Sequence, residues 1–287
     1  REDPAVNSPE IRSTVMSPDI ADRAPAAGAI TTARVIVARA AANYRHSPGL
    51  FAVTLAAPLG MMLLFGFVFG GALAGEGDPA AYRSYLMPGV LVLVAAMGLA
   101  TTANTANADL HSGLTDRFRV LPVPRIGVPA GLALAETVVG VLALAVMSGV
   151  GVLVGWRIDA SPADALLAVA LLIAFRLALS WLGISLGLAI RDEQILQQAA
   201  PMIFGAIMFS NVFTPTETMP TVVRAIAEWN PISAVVAALL ELLGSGGAIA
   251  ADSALPLQHP VAAAFGWIAV LLAATVPLAV RRYGAQR

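Results

Sequence analysis

The chain has 287 residues, 58% of them hydrophobic and only 12% charged, with a net charge of −1 and no cysteine. A soluble domain carries about 25% charged residues, so water is not the main solvent here. The missing cysteines exclude disulfide frameworks, thiolate metal sites and cysteine nucleophiles. All 17 basic residues are arginine, so the chain also lacks the lysine with which a P-loop holds nucleotide phosphates.

Residues 1–28 contain four prolines, scattered charges and no apolar run. They lack the apolar core of a secretory signal and are expected to be a disordered cytoplasmic tail. An amphipathic interfacial helix is predicted over residues 29–48. On a helical wheel Ile30, Ala33, Ile36, Val37, Ala40, Ala41 and Tyr44 share one side, and Arg34, Arg39, Arg45 and His46 the other. A basic helix of this kind lies flat on the membrane with its arginines toward lipid phosphates. Ser47-Pro48 ends it before the chain turns into the bilayer.

Residues 49–282 read as an all-α transmembrane domain of six spans, at 50–73, 85–107, 128–154, 166–190, 195–213 and 261–280, followed by a short cytoplasmic tail at 283–287. Each span is about 20 residues or longer, the length that crosses roughly 30 Å of hydrocarbon. Runs such as 142–154 are apolar on every side, unlike the alternating strands of a barrel. Pro58 is expected to kink the first span. The pairs Gly66/Gly70, Gly151/Gly155 and Gly183/Gly187, each at four-residue spacing, are expected to let helices approach closely.

Arginine placement orients the chain, because cytoplasmic loops retain positive charge. With the N-terminus inside, 13 of the 17 arginines fall inside, three outside and one, Arg176, within a span. Both termini are then cytoplasmic. The cytoplasmic loop 108–126 mixes Asp109, His111, Asp116, Arg117 and Arg119 with Leu114, Phe118 and Leu121 before stopping at Pro122 and Pro124. A short helix over 115–121 fits, and the mixture of charge with large apolar groups reads as a docking element. The outer segment 214–260 holds two stretches, 222–228 and 232–243, too short to cross and separated by Trp229-Asn230-Pro231. They are expected to dip into the outer leaflet and return, packing on the bundle as a lid, because irregular backbone at that depth needs a protein or water cover.

Arg176 sits near the middle of the fourth span, where a charge costs about 2.5–3.5 kcal/mol on insertion scales. Two readings compete. Arg176 lines a wet transport pathway or a permease interface, or it pairs with Glu136, which by the helical rise lies about 8 Å nearer the cytoplasm. Thr101, Asn104 and Thr105 form a polar stripe on the second span and, with Asn211, are further pathway candidates; interhelical hydrogen bonding is the plainer role for the stripe. The three histidines, His46, His111 and His259, are scattered, and neither His-Glu-x-x-His nor Gly-x-Ser-x-Gly occurs. The motifs of metal-dependent and hydrolytic enzymes are therefore missing.

Several local sequences, taken in order, resemble the ABC-2 type transporter permeases, especially the daunorubicin-resistance branch of bacterial drug and lipid exporters. Leu64-Phe65-Gly66-Phe67-Val68-Phe69-Gly70-Gly71 is similar to the end of that family's first span, and Tyr85-Leu86-Met87-Pro88-Gly89 to the entry of its second. The sequence from Asp109 to Gly113, continued by Asp116-Arg117-Phe118-Arg119-Val120-Leu121-Pro122, resembles its coupling loop. Ser210-Asn211-Val212-Phe213-Thr214-Pro215, Met219-Pro220 and Trp229-Asn230-Pro231 resemble its outer re-entrant hairpin. The resemblance implies an exporter of two permease chains, identical or not, and two cytoplasmic ATPase subunits that bind the ATP and Mg. It implies that the loop from Asp109 to Pro122 docks into the ATPase and that the interfacial helix braces this contact.

The expected function is export of hydrophobic or amphipathic drugs or lipids across a bacterial inner membrane, with multidrug efflux and antibiotic resistance as its setting. No cofactor, metal or nucleic acid is expected for this chain itself. A polysaccharide or glycolipid exporter is the alternative within the class, but a sugar corridor wants aromatic walls and only 6% of residues are aromatic. An ion-coupled secondary carrier and a membrane anchor are the alternatives outside it. Carriers expose acidic groups at the midplane in repeated halves, a pattern this sequence lacks.

Overall fold

The protein is described from a computed structural model over residues 48–70, 79–111, 126–190, 192–245 and 253–285. The expected interfacial helix with Arg34, Arg39, Tyr44 and Arg45 lies outside these residues. So does most of the expected docking loop, including Gly113, Asp116, Arg117, Phe118, Arg119, Leu121 and Pro122. Among the described residues every regular element is helical.

Helix α1 (Pro48–Leu63) carries Pro58 in its interior and continues into a π turn over Leu64–Val68. Next comes α2 (Pro79–His111), whose middle is buried from Leu86 to Ala96, making it the central rod of the bundle. After α3 (Gly127–Leu153), the chain starts α4 (Pro162–Ala189) at a strong cap. The Ser161 hydroxyl accepts the Asp164 N–H at 3.2 Å, and Pro162 occupies the first helical position, where a missing N–H costs nothing.

Close packing of α2 on α4 comes from glycine. A Cβ on Gly183 would stand 2.8 Å from the Leu99 carbonyl oxygen and 2.9 Å from the Thr102 Cβ, and one on Gly187 would overlap the Ala103 carbonyl. Only glycine permits that approach of two backbones. The end of α4 is closed by side chains from two neighbours. Asn107 of α2 donates to the Ile190 carbonyl at 2.7 Å, and Arg282, on α10 (Pro260–Ala285), donates to the Ser185 carbonyl at 2.7 Å. The Ile190 carbonyl lies past the last intrahelical bond, where a helix end leaves carbonyls without partners.

The other expected glycine pairs behave differently. Gly66 and Gly70 meet their neighbours at ordinary contact distances of 3.5 and 3.6 Å. Gly151 packs against the Met87 side chain, but Gly155 has open space around it and a φ of +104°, a conformation that suits the end of α3 rather than a helix contact. The Gly151/Gly155 pair is therefore corrected to one packing residue and one terminator.

The fifth expected span, 195–213, is not one continuous helix. Two short helices form there, α5 (Glu193–Gln197) and α6 (Ala199–Met208), divided at Gln198. Pro201 has no N–H to bond the Gln197 carbonyl, and its ring crowds that same group, so one continuous helix is disfavoured at this point. Beyond α6 come α7 (Thr221–Glu228) and α8 (Pro231–Leu242), bent by 76° at Trp229-Asn230, and the short α9 (Leu255–Gln258). The α8 helix is buried along its length from Ser233 to Leu240. The last helix, α10, runs on to Ala285 with Tyr283 buried, so the region given as a tail begins as helix.

Four described helices, α2, α3, α4 and α10, are long and apolar enough to cross a membrane, and a fifth is counted if the bent pair α7 and α8 forms one span. α1 with its π turn is apolar but shorter by that measure.

Candidate functional site

The polar centre of the bundle is Arg176, 2% exposed in the middle of α4, facing Glu136 of α3, 3% exposed. Their side chains meet at 3.5 Å, and the same guanidinium donates to the Glu136 backbone carbonyl at 3.0 Å. Thr102 of α2 completes the contact, accepting from the two terminal guanidinium nitrogens at 3.5 and 3.4 Å. Its own proton can serve the Gly98 carbonyl at 2.8 Å or a Glu136 oxygen at 3.4 Å. Thr105 has the same choice, between the Thr101 carbonyl at 3.0 Å and the other Glu136 oxygen at 3.4 Å.

Two glycines make room for the arginine. A Cβ on Gly98 would stand 2.6 Å from the Arg176 guanidinium carbon, and one on Gly140 would strike the same side chain from α3. The guanidinium therefore lies in a slot whose walls are bare backbone of α2 and α3. Behind it Ser180 bonds back to the Arg176 carbonyl at 2.9 Å and lies 3.4 Å from Thr137. Both charges are thus desolvated, paired and hydrogen-bonded, the condition under which ions are tolerated in a low-dielectric interior.

A small cavity of about 30 Å³ adjoins the pair, lined by Pro58, Gly98, Thr101, Glu136, Gly140 and Arg176 among others. That is room for a water molecule. The walls present both signs of charge, so a water there can hydrogen-bond to either side of the pair.

The sequence-based candidates divide between this cluster and other places. Arg176, Thr101 and Thr105 belong to the cluster, while Asn104, one turn on along α2, is exposed. Asn211 is elsewhere, in the turn after α6. Its backbone N–H donates to the Ser233 hydroxyl at 3.2 Å, and its carbonyl accepts the Tyr85 hydroxyl at 2.7 Å. Asp109 lies in the last turn of α2, and Pro215 and Pro220 precede a short 3-10 turn and α7. Trp229 ends α7, and Pro231 is the first residue of α8. Asn230 joins three helices: its side-chain oxygen caps α8 at the Ile232 N–H, 2.9 Å away, while its amide donates to the α6 carbonyls of Ala206 at 3.0 Å and Phe209 at 2.9 Å.

Sequence reasoning missed Thr102, Gly98, Gly140 and Ser180. Each carried a signal, because Gly98 stands four residues from Thr102, Gly140 four from Glu136 and Ser180 four from Arg176, the spacing that shares a helix face. No group of three or more potential metal ligands occurs among the described residues.

Comparison with known proteins places this architecture. The profile of the ABC-2 type transporter family matches residues 31–243, well over half of the chain. The chain belongs to the ABC-2 type transporter family. This ABC-2 chain is also similar to the daunorubicin resistance ABC transporter permease protein DrrB1 of Streptomyces coeruleorubidus, with 32% identity over 228 residues, covering 79% of this chain and 80% of the relative. The family match spans the whole Arg176 cluster and both helices α7 and α8, and ends before α10. With its apolar helices, the ABC-2 chain is a multi-pass membrane protein.

Proposed function

We propose that the chain is the permease subunit of an ATP-driven exporter that moves hydrophobic or amphipathic drugs or lipids outward from a bacterial inner membrane. The observation that carries this reading is the 32% identity, over most of both chains, to a permease named for daunorubicin resistance. A lysine-free sequence agrees with it, because these 287 residues then hold no P-loop motor of their own. In this reading two ATPase subunits bind ATP and Mg and dock on the loop containing Asp109 and Phe118. A second permease chain completes the pathway, six crossings place both termini in the cytoplasm, and the α7 and α8 hairpin lies outside.

The Arg176–Glu136 pair then has two duties. It ties α2, α3 and α4 into one body, and with Thr101 it gives a passing molecule a neutral polar contact midway across the membrane. The test is reconstitution with a candidate partner ATPase, using daunorubicin as the first substrate. Efflux should require ATP, and Phe118→Ala combined with Leu121→Ala should abolish co-purification of the ATPase. Efflux that ran on an ion gradient with the ATPase absent would instead make the chain a secondary carrier.

A further inference from the structure

Two separate apolar cores fill the bundle. The larger contains Leu86, Met147 and Phe175. The smaller gathers Ala106 of α2, Leu132 of α3, Ile184 and Leu188 of α4, and Ala279 and Tyr283 of α10, all of them buried. Thr102 on α2 and Glu136 on α3 stand between the two cores along their helices. Among the described residues, none of α1, α6 or α8 takes part in the smaller core. It therefore joins four helices and leaves the other three out.

Two polar side chains fasten the same helix ends from opposite sides. Asn107, 2% exposed, reaches from α2 to the end of α4, where its amide donates to the Ile190 carbonyl at 2.7 Å and lies 3.4 Å from the Gly187 carbonyl oxygen. Arg282 reaches from α10 to the Ser185 carbonyl at 2.7 Å. Its charge suits that place, because the C-terminal end of a helix is the negative end of its dipole. Removing the Asn107 amide would leave a carbonyl short of its donor in a buried setting, which is costly.

α2 ends at His111 and α3 begins at Gly127. The segment joining them is rooted at both ends in this block, since Leu110 and Val128 pack against the smaller core. A force on that segment meets α2 and α3 first, and the Asn107 and Arg282 contacts pass it on. We propose that these ends of α2, α3, α4 and α10 form one rigid block, in which Asn107 and Arg282 are positioning residues that carry movement of the docking loop to α4 and α10. The coupling role rests on the exporter reading, whereas the block does not.

The chain has no cysteine, so spin-label pairs can be placed in the full-length protein. Ala108→Cys with Arg281→Cys spans the clasp, and Leu153→Cys with Leu166→Cys, at the other ends of α3 and α4, is the reference; all four positions are exposed. In nanodiscs of phosphatidylcholine and phosphatidylglycerol, double electron–electron resonance should give one narrow distance for the 108–281 pair. Asn107→Leu with Arg282→Met should at least double its width and leave the reference pair unchanged, while Arg282→Lys alone, which keeps a cationic donor, should stay narrow. An unchanged width in the double variant overturns the block, because the apolar core alone would then hold the ends. Equal broadening of the reference pair also overturns it, as general loosening of the bundle. With a candidate partner ATPase and daunorubicin, the double variant should still bind the ATPase and hydrolyse ATP, while drug exported per ATP falls severalfold. Hydrolysis and export falling together overturn the coupling role. An unsubstituted chain that exports nothing with ATP overturns the exporter reading and the coupling role with it, and the spectroscopic comparison, which needs no ATPase, still decides the block.

Discussion

A buried arginine in a membrane bundle is stable only in company, and the company of Arg176 is specific. Removing one partner leaves an uncompensated buried ion, which costs about 3–5 kcal/mol, whereas removing both often costs little. Arg176→Leu should therefore destabilise the protein by about that amount, and Arg176→Leu with Glu136→Leu should recover most of the loss. Equilibrium unfolding in mild detergent measures both variants. A double variant as unstable as the sum of the two singles would mean that the two side chains do not act as a pair. The pairing itself was readable from the sequence, since the helical rise brought Glu136 within reach of a long side chain. The slot of Gly98 and Gly140 and the bridging role of Thr102 were not. Recognising them requires knowing which faces of α2 and α3 meet, and side-chain periodicity does not fix the rotation of one apolar helix against another when lipid is as apolar as the core.

Some helix contacts in this chain are made by bare backbone rather than by interlocking side chains. The seam between α2 and α4 is the clearest case, because Gly187 lies so close to the Ala103 carbonyl that any Cβ must displace it. Gly187→Leu should lower stability by about 1–3 kcal/mol or more through overpacking. Gly149→Leu, on a face of α3 with nothing within 4 Å, should be nearly neutral, and thermal unfolding followed by circular dichroism separates the two. The glycine spacing at Gly183 and Gly187 advertised this seam, but identical spacing at Gly151 and Gly155 did not produce one. The pattern shows where a close approach is allowed. Whether a neighbour uses it depends on where the helix stops, and α3 stops at Gly155. The fifth expected span is interrupted for a related reason: hydropathy rated residues 195–213 as one apolar stretch, while Pro201 removed the hydrogen bond that continuity needs.

Across the whole molecule, α4 is about 42 Å long at 1.5 Å per residue, enough to place its ends on opposite faces of a bilayer. Arginine bias predicts that its N-terminal end lies outside. Arg157→Cys, just before α4, should react with a membrane-impermeant maleimide in intact cells, and Gln194→Cys, just beyond its far end, only after the membrane is opened. The reverse pattern would invert the molecule and place the loop proposed to dock the ATPase outside the cytoplasm. Overall helicity, the long apolar rods and the break at Trp229-Asn230-Pro231 were legible from composition, length and turn chemistry. The contacts between distant segments were not, and Asn230 is the most consequential of them. One carboxamide grips the foot of α8 and two carbonyls at the tip of α6. Tilting α6 would therefore pull α8 along like a door on a shared pin. A single neutral side chain thus makes two segments, well separated along the chain, a single mechanical part.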